Sequence, residues 1–222
     1  QALSINIIIL VLVELIILKV RKQQVEHEND RLRLANLEAR HNQLKQQLHP
    51  HFLFNSLNTL KTLIKKKPDQ AEDYLMKLSD LLRFSIYANK EEVVPVEKEL
   101  ELCINYLHMQ QVRFGDALQY SIHLPDLMKS NGNLPVYSIQ LLVENAIKHN
   151  TLTSPHPLHI RISGTTGTGK ITVSNNMQPK LIIEDGNGVG LSNLAERYRL
   201  LGNAGLEISR GQGEFSVTIK VL

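Results

Sequence analysis

The chain has 222 residues, which is enough for about one or two domains with hydrophobic cores of their own. Its formal net charge of +3 is too small to indicate direct nucleic-acid binding, and no basic run is interleaved with aromatic residues. Cys103 is the single cysteine, so the sequence excludes a disulfide framework and a cysteine-based zinc site and suits a reducing cytosol.

The first stretch, residues 2–18, is almost entirely apolar, and basic side chains follow at once within residues 19–22. It is slightly short of the roughly 20 residues that span a bilayer, and Glu14 is costly at that depth. The basic flank indicates that the following residues are cytoplasmic. We expect a transmembrane helix at 1–20, the end of a longer membrane region; a helix buried in a coiled coil is the alternative.

Three helices are predicted next. Residues 21–48 are charged, contain no Gly or Pro, and are predicted to form a coiled-coil signalling linker. Two amphipathic helices then flank the stop signal "KKKPD" at 65–69. Their apolar stripes are Leu53, Leu57, Leu60 and Ile64 in the first, and Ala71, Leu75, Leu78 and Leu82 in the second. A lone hairpin cannot bury both stripes, so we expect dimerisation into a four-helix bundle.

A further helix is predicted at about 97–114, and the composition changes after Gly115. Strands are predicted near 120–124, 158–163, 170–174, 205–209 and 215–221, with helices at about 135–149 and 190–201. Mixed strands and helices with short connections are typical of an α+β layer structure. The chain is therefore predicted to divide near residue 116 into a helical half and an α/β half.

The stretch "GTTGTGKIT", residues 164–172, has the glycine and lysine spacing of a phosphate-binding P-loop. A P-loop ends a strand and opens a helix, whereas here alternating residues on both sides indicate two strands. Ile171 also stands where a Ser or Thr hydroxyl should meet magnesium. We interpret the stretch as a hairpin turn.

The stretch "PVYSIQLLVENAIKHN", residues 135–150, is predicted to bury one helix face and to present polar side chains on the other. The buried face comprises Ile139, Leu142, Val143 and Ala146, and the polar face comprises Glu144, Asn145, Lys148 and His149. An ordinary solvent-exposed helix face without a function would show the same spacing of polar residues. Asn145 favours a function, because asparagine is a poor helix former and could ligate a divalent metal through oxygen.

Two other stretches could carry chemistry. In residues 184–202, Gly186, Gly188 and Gly190 lead directly into an amphipathic helix, whose first N–H groups could bind phosphate; a surface loop is the alternative. The stretch "LKQQLHPHFLFNSLN", residues 44–58, contains His49 and His51. An imidazole can act as a nucleophile at neutral pH, although a buried or solvated histidine without a catalytic role agrees equally well with the sequence.

Together these stretches resemble the LytS-like sensor histidine kinases over about residues 40–222. The motifs that carry the resemblance are "LHPHFLFNSLNTL", "LLRFSI", "VPVEKELELCINYLHMQQVRF", "LLVENAIKHN" and "GNGVGLSNLAERYRLLG", in that order. The resemblance implies dimerisation and phosphotransfer helices at 49–115 and a Bergerat-type ATP-binding α/β sandwich at 116–222. It also implies a homodimer in the bacterial cytoplasmic membrane, with its catalytic portion in the cytoplasm and a response-regulator receiver domain as partner.

The resemblance assigns site residues one by one. His51 would be the phosphoacceptor, while His49 stands where relatives usually have asparagine; Asn55 would have a phosphatase role. Glu144 would be catalytic, and Asn145 would hold Mg²⁺ against ATP with Lys148 and His149 near the phosphates. The second glycine box would comprise Gly186, Gly188, Gly190 and Leu191.

One position departs from the family pattern. The aspartate that accepts a hydrogen bond from the adenine amino group is replaced by Asn175, and the glycine two residues later by Met177. An amide oxygen can still accept this hydrogen bond, but more weakly than a carboxylate. The sequence therefore predicts a kinase that phosphorylates His51 and passes the phosphoryl group to an aspartate, with a degenerate, non-phosphorylating signalling subunit as the alternative.

Overall fold

The computed structural model describes residues 14, 18–19, 21–24, 27–29, 31, 50–87, 91–165, 167–180, 189–202 and 206–222. The chain separates into two compact units, residues 1–53 and 54–222. Most of the predicted membrane helix and linker, together with His49, lies outside the described residues. Within the ranges given above, none of the helices combines the length and the apolar character that crossing a bilayer requires.

Helix α1 spans Pro50–Lys66 and helix α2 spans Pro68–Tyr87, so a single residue, Lys67, separates them. The apolar residues of the two helices divide into two sets. Tyr74, Leu78 and Leu81 of α2 are buried, whereas the following remain exposed: Phe54, Leu57, Ile64, Leu75 and Met76. Of the predicted stripes, Leu57, Ile64 and Leu75 are exposed, whereas Ala71 and Leu78 are buried. The packed hairpin itself stays a prediction, because the described residues show no extensive packing between α1 and α2.

The chain next forms a small ribbon and a long helix. Strand β1, Val93–Pro95, pairs antiparallel with β3, Asn133–Pro135. Between them lie helix α3, Val96–Phe114, a 3₁₀ turn at Gly115–Ala117, strand β2, Leu118–His123, and helix α4, Asp126–Asn131. Gly132 ends α4 where a Cβ would lie 2.7 Å from the carbonyl oxygen of Met128. The absence of a side chain there permits this close turn.

A five-stranded sheet forms the base of the second unit. Its remaining strands are β4, Leu158–Thr165, β5, Lys170–Asn176, β6, Glu207–Gly211, and β7, Glu214–Lys220. The strand order is β2-β4-β5-β7-β6, in which β2 and β4 are parallel and the other pairs antiparallel. Alternate side chains on one face are buried: Leu158, Ile160, Ile162, Ile171, Val173, Val217 and Ile219.

Helix α5, Ser138–His149, packs on α3 and on strands β4 and β5 of this sheet. Helix α6, Val189–Leu200, packs on α5 and β3. The predicted apolar face of α5 is confirmed, since Ile139, Leu142, Val143 and Ala146 are all buried. The mixed α+β class is therefore confirmed. Helix α3 packs on α4, α5 and β2, although the sequence assigned it to the helical half. The predicted boundary near residue 116 remains a proposal.

The glycine-rich stretch at 164–172 is a turn between strands, as predicted. Strand β4 ends at Thr165, β5 starts at Lys170, and Gly169 has a φ of 58°. The N–H groups of Thr168 and Gly169 donate to the carbonyl of Thr165 at 3.2 Å. Backbone donors that a P-loop would offer to phosphate are thus used within the turn, and no helix follows it.

Candidate functional site

The start of helix α5 is fixed by a buried acid. Tyr137 precedes the helix in a left-handed conformation, with φ 64° and ψ 19°. Its N–H donates to Oε2 of Glu99 at 2.9 Å, and the N–H groups of Ile139 and Gln140 donate to Oε1 of Glu99 at 3.0 and 3.4 Å. Glu99 belongs to α3 and is fully buried. A carboxylate here satisfies donors that the first helical turn leaves free.

Burial and hydrogen bonding act on this acid in opposite directions. The pKa of Glu99 is raised to about 7, because burial outweighs the lowering effect of the N–H donors of Tyr137, Gln140 and Ile139 and of the charge of Arg197. Arg197 belongs to α6, and its Nη1 donates to the carbonyl of Val136 at 2.7 Å. Glu99 and Arg197 thus join three helices around the start of α5.

An aromatic contact lies at the same junction. The rings of Phe84, from α2, and Tyr137 meet edge to face, with centroids 5.4 Å apart and planes at 80°. Both rings pack against buried Val94 and Val136. The left-handed residue before α5 is therefore held by a ring contact as well as by Glu99.

The polar face of α5 is partly covered. Glu144 is half-buried and lies near Tyr106 of α3, whose pKa is raised by burial and then by the Glu144 carboxylate. Lys148 is half-buried and His149 is exposed. The predicted polar residues therefore do share one side of α5, with Glu144 turned toward α3.

Asn145 lies beside the start of helix α6. A Cβ on Gly190, the second residue of α6, would lie 3.7 Å from Cδ1 of Leu141 and 3.8 Å from both Oδ1 and Nδ2 of Asn145. The Nδ2 atom of Asn145 is shielded from solvent and has no hydrogen-bond partner among the described residues. A buried polar atom without a partner is costly, which favours a ligand in this gap.

The gap suits a magnesium ion bound together with phosphates. Mg²⁺ usually takes one or two protein oxygens and completes its shell with water and phosphate. The amide oxygen of Asn145 lies at the edge of the gap, 3.8 Å from the Cβ position on Gly190, and supplies one such oxygen. The described ranges contain no group of three or more His, Cys, Asp and Glu that could hold a metal by themselves. The donor set therefore fits Mg²⁺ only with a phosphate ligand.

The C-terminal end of α5 is anchored to the segment after strand β5. Asn150 is buried; its Nδ2 donates to the carbonyl of Ala146 at 2.8 Å, and its Oδ1 accepts from the N–H of Gln178 at 2.7 Å. The N–H of Thr151 donates to the carbonyl of Gln178 at 2.7 Å. The helix that carries Asn145 is thus linked to the strand that carries Asn175.

Asn175 lies on the buried face of β5 and is 4% exposed. Its Nδ2 donates to the carbonyl oxygen of Asn176 at 2.7 Å. This bond turns Oδ1, the acceptor end of the amide, to the other side. Met177 follows with 41% of its surface exposed. An acceptor therefore exists where the resemblance expects the adenine contact.

The remaining predicted residues are only partly described. His51 lies in the first turn of α1, without a described side chain, and Asn55 is half-buried one turn later. Leu191 is half-buried on α6, while Gly186 and Gly188 lie outside the described residues. The described residues thus bring together Asn145 and Gly190 among the predicted set.

Sequence reasoning missed Glu99, Arg197 and Asn150. One signal for Glu99 was available, because it falls on the apolar stripe of α3 formed by Val96, Leu100, Cys103 and Leu107. A carboxylate on a buried stripe requires partners. Arg197 and Asn150 carry no comparable signal, since the backbone partners of Arg197 and of the Asn150 side-chain oxygen belong to distant segments.

Comparison with known proteins identifies the family. Residues 39–118 match the family model described as histidine kinase. The chain is 33% identical over 178 residues to the sensor histidine kinase YpdA of Escherichia coli (strain K12), covering 75% of this chain and 31% of that protein. It is 31% identical over 170 residues to the sensor histidine kinase/phosphatase LytS of Staphylococcus aureus (strain MRSA252), covering 77% of this chain and 27% of that protein.

A solved structure, the histidine kinase AdeS of Acinetobacter baumannii, is similar over 77% of this chain and 96% of that one, at 15% identity and a TM-score of 0.39. A superposition this loose does not establish a common fold. The chain spans about a third of the length of the curated relatives it matches. From the family match and an identity of about a third to these curated relatives, the chain belongs to the LytS-like sensor histidine kinases.

Proposed function

We propose that the chain is the kinase portion of a membrane-anchored, homodimeric sensor that phosphorylates His51 from ATP and Mg²⁺. The phosphoryl group then passes to an aspartate on the receiver domain of a cytoplasmic response regulator. The observation that carries the proposal is the Nδ2 atom of Asn145 beside Gly190, which is shielded from solvent and has no hydrogen-bond partner within the described part of the chain. A gap lined by an amide and a helix start suits a metal-bound phosphate.

Each residue has a separate part in this proposal. Asn145 binds Mg²⁺, which neutralises charge on the phosphates during transfer. Lys148 and His149 lie one helical turn further on the same side of α5, where their nitrogens can meet phosphate oxygens. Asn175 accepts from the adenine amino group through Oδ1. His51 is the nucleophile that takes the γ-phosphoryl group and releases ADP. Asn55 orients the water that hydrolyses the phosphoaspartate of the response regulator.

The exposed apolar stripe on α1 and α2 supports a dimer. Phe54, Ile64 and Met76 are each at least 60% exposed, which is unusual for large apolar side chains that share helix faces. A second copy of the helix pair would cover them in a four-helix bundle. The proposed membrane anchor rests on the apolar stretch at residues 2–18 and on the resemblance.

Phosphorylation with labelled ATP tests the activity and the assignment of the nucleophile together. We expect acid-labile, base-stable label on the wild-type chain and on the matched control His49→Gln, because only His51 is the acceptor. His51→Gln should carry no label. Label that persists in His51→Gln, or its absence from the wild type, would contradict the proposal.

A second candidate is a subunit that relays conformation without phosphotransfer, and Asn175 favours it, since an amide replaces the usual carboxylate. Calorimetric titration with ATP separates the two. Micromolar binding supports the kinase, and millimolar or absent binding supports the degenerate subunit. Inosine triphosphate has an oxo group in place of the adenine amino group. It should bind more weakly than ATP if Oδ1 of Asn175 accepts a hydrogen bond from that amino group.

A further inference from the structure

Glu99 stands out among the groups that the proposed function does not use. It is fully buried in α3, yet all three of its hydrogen bonds go to backbone N–H groups at the start of another helix, α5. These donors belong to Tyr137, Ile139 and Gln140. Since an acid is seldom buried without a specific task, this arrangement demands an explanation.

The same contacts extend to helix α6. Arg197 faces Glu99 and donates through Nη1 to the carbonyl of Val136, immediately before the turn that Glu99 holds. Arg197 lies two turns after Gly190 on α6, and Asn145 lies two turns after the Glu99 contacts on α5. The orientation of each helix at the Asn145–Gly190 gap is thus linked to one buried pair.

We propose that Glu99 and Arg197 are positioning residues that set the gap between Asn145 and Gly190 for a magnesium-bound nucleotide triphosphate. The inference rests on the proposed function. Glu99 fixes the first turn of α5, and Arg197 ties α6 to the backbone that leads into it. Neither residue touches the nucleotide.

The test measures the affinity of the whole chain for a non-hydrolysable ATP analogue with Mg²⁺. We expect about a tenfold loss in Glu99→Gln, in which one of the three N–H groups faces an NH₂ instead of an oxygen, and a similar loss in Arg197→Gln. The double variant should lose less than the product of the two, because the residues act as one unit. The matched control is Glu97→Gln, an exposed acid on the same helix, and its affinity should not change.

Two further measurements distinguish a positioning role of Glu99 from a merely structural one. Hydrogen exchange without nucleotide should become faster at the amides of residues 137–140 in Glu99→Gln and stay unchanged in Glu97→Gln. The loss of affinity in Glu99→Gln should also grow as the pH rises from 6 to 8.5, because Glu99 of the wild type ionises whereas the glutamine of the variant does not. The groups that face Glu99 are Arg197 and Tyr198 on α6 and Cys103 on α3, and none of them competes for this pH range.

A failure of the positioning inference and a failure of the proposed function give different outcomes. If Glu99→Gln and Arg197→Gln both bind the analogue as tightly as the wild type does, the positioning inference is wrong and the proposed function stands. Faster exchange with unchanged affinity also overturns it, because the first turn would then matter only locally. A wild type that fails to bind overturns the proposed function itself.

Discussion

Both amide atoms of Asn145 lie 3.8 Å from the point where a Cβ on Gly190 would stand. This distance is an ordinary contact, so a methyl group fits without a clash. Gly190 is also not among the glycines with positive φ. The backbone of α6 therefore does not require glycine, and what the glycine provides is room for about one methyl group next to Asn145.

The first prediction is that Gly190→Ala separates stability from binding. The fold should be stabilised by up to about 1 kcal/mol, because alanine is the better helix former. The affinity for ATP should fall by about tenfold, or about 1.4 kcal/mol, because the methyl group occupies the gap. Urea unfolding and calorimetry measure the two effects.

The matched control for Gly190→Ala is Gly211→Ala, on the exposed strand β6, where nothing lies within 4 Å of an added Cβ. It should leave the affinity unchanged. Unchanged ATP affinity in Gly190→Ala would mean that phosphates do not enter this gap.

The second prediction concerns the amide orientation of Asn175. In Asn175→Asp, a carboxylate oxygen would replace Nδ2 and face the carbonyl oxygen of Asn176, at the place of a 2.7 Å hydrogen bond. We expect the free energy of unfolding to fall by about 1–3 kcal/mol, since a buried hydrogen bond becomes a repulsion. Urea unfolding at pH 7.5 measures it, and Asn193→Asp, at an exposed position on α6, is the control. An equally stable Asn175→Asp would contradict a stabilising hydrogen bond from Nδ2 of Asn175 to the carbonyl of Asn176.

The third prediction is a pH dependence of stability that originates at Glu99. Burial raises its pKa to about 7 in the folded chain, above the ordinary value of 4.5. The folded state then binds more protons than the unfolded state between these pH values. The stabilisation is therefore fully present below about pH 4.5 and is lost as the pH rises through about 7.

Urea unfolding of the wild type and Glu99→Gln at several pH values from 4.5 to 8.5 checks this sign. The free energy of unfolding of the wild type, relative to the variant, should fall across the range and level off above pH 7. A relative stability that rises with pH would mean that the N–H donors and Arg197 outweigh burial.

The fourth prediction concerns the exposed stripe of α1. Replacing both Leu57 and Ile64 by Lys should weaken the dimer by at least tenfold, because charges would enter a buried interface. Light scattering over a concentration series measures the mass. Asn58→Lys adds a charge at a neighbouring exposed position and should leave the dimer intact. A double variant that stays dimeric would place the interface elsewhere.

The sequence predicted regular elements well where one rule decides them. Apolar periodicity located α5 and β4, and the strand patterns on both sides of Gly169 distinguished a turn from a P-loop. Short elements with weak patterns were missed, among them the ribbon strand Val93–Pro95 and helix Asp126–Asn131. Their stability comes from distant partners, which local sequence does not specify.

The candidate site divides in the same way. Asn145 and Gly190 could be selected because each is unusual in its own helix or loop. The contacts of Glu99 with Tyr137 and Ile139 span some forty positions of the chain, and no spacing rule relates residues so far apart. Their relationship emerges only from the packing of α3 against α5.

The parallel pairing of β2 with β4 has a consequence for how the chain folds. Leu118 pairs with Leu158, and the whole of α5 lies in the connection between the two strands. Closing so long a connection costs chain entropy before the pairing returns any stabilisation. During synthesis, α5 therefore cannot pack on the sheet until β4 and β5 have emerged from the ribosome. Acquisition of nucleotide binding should accordingly be among the last events of folding.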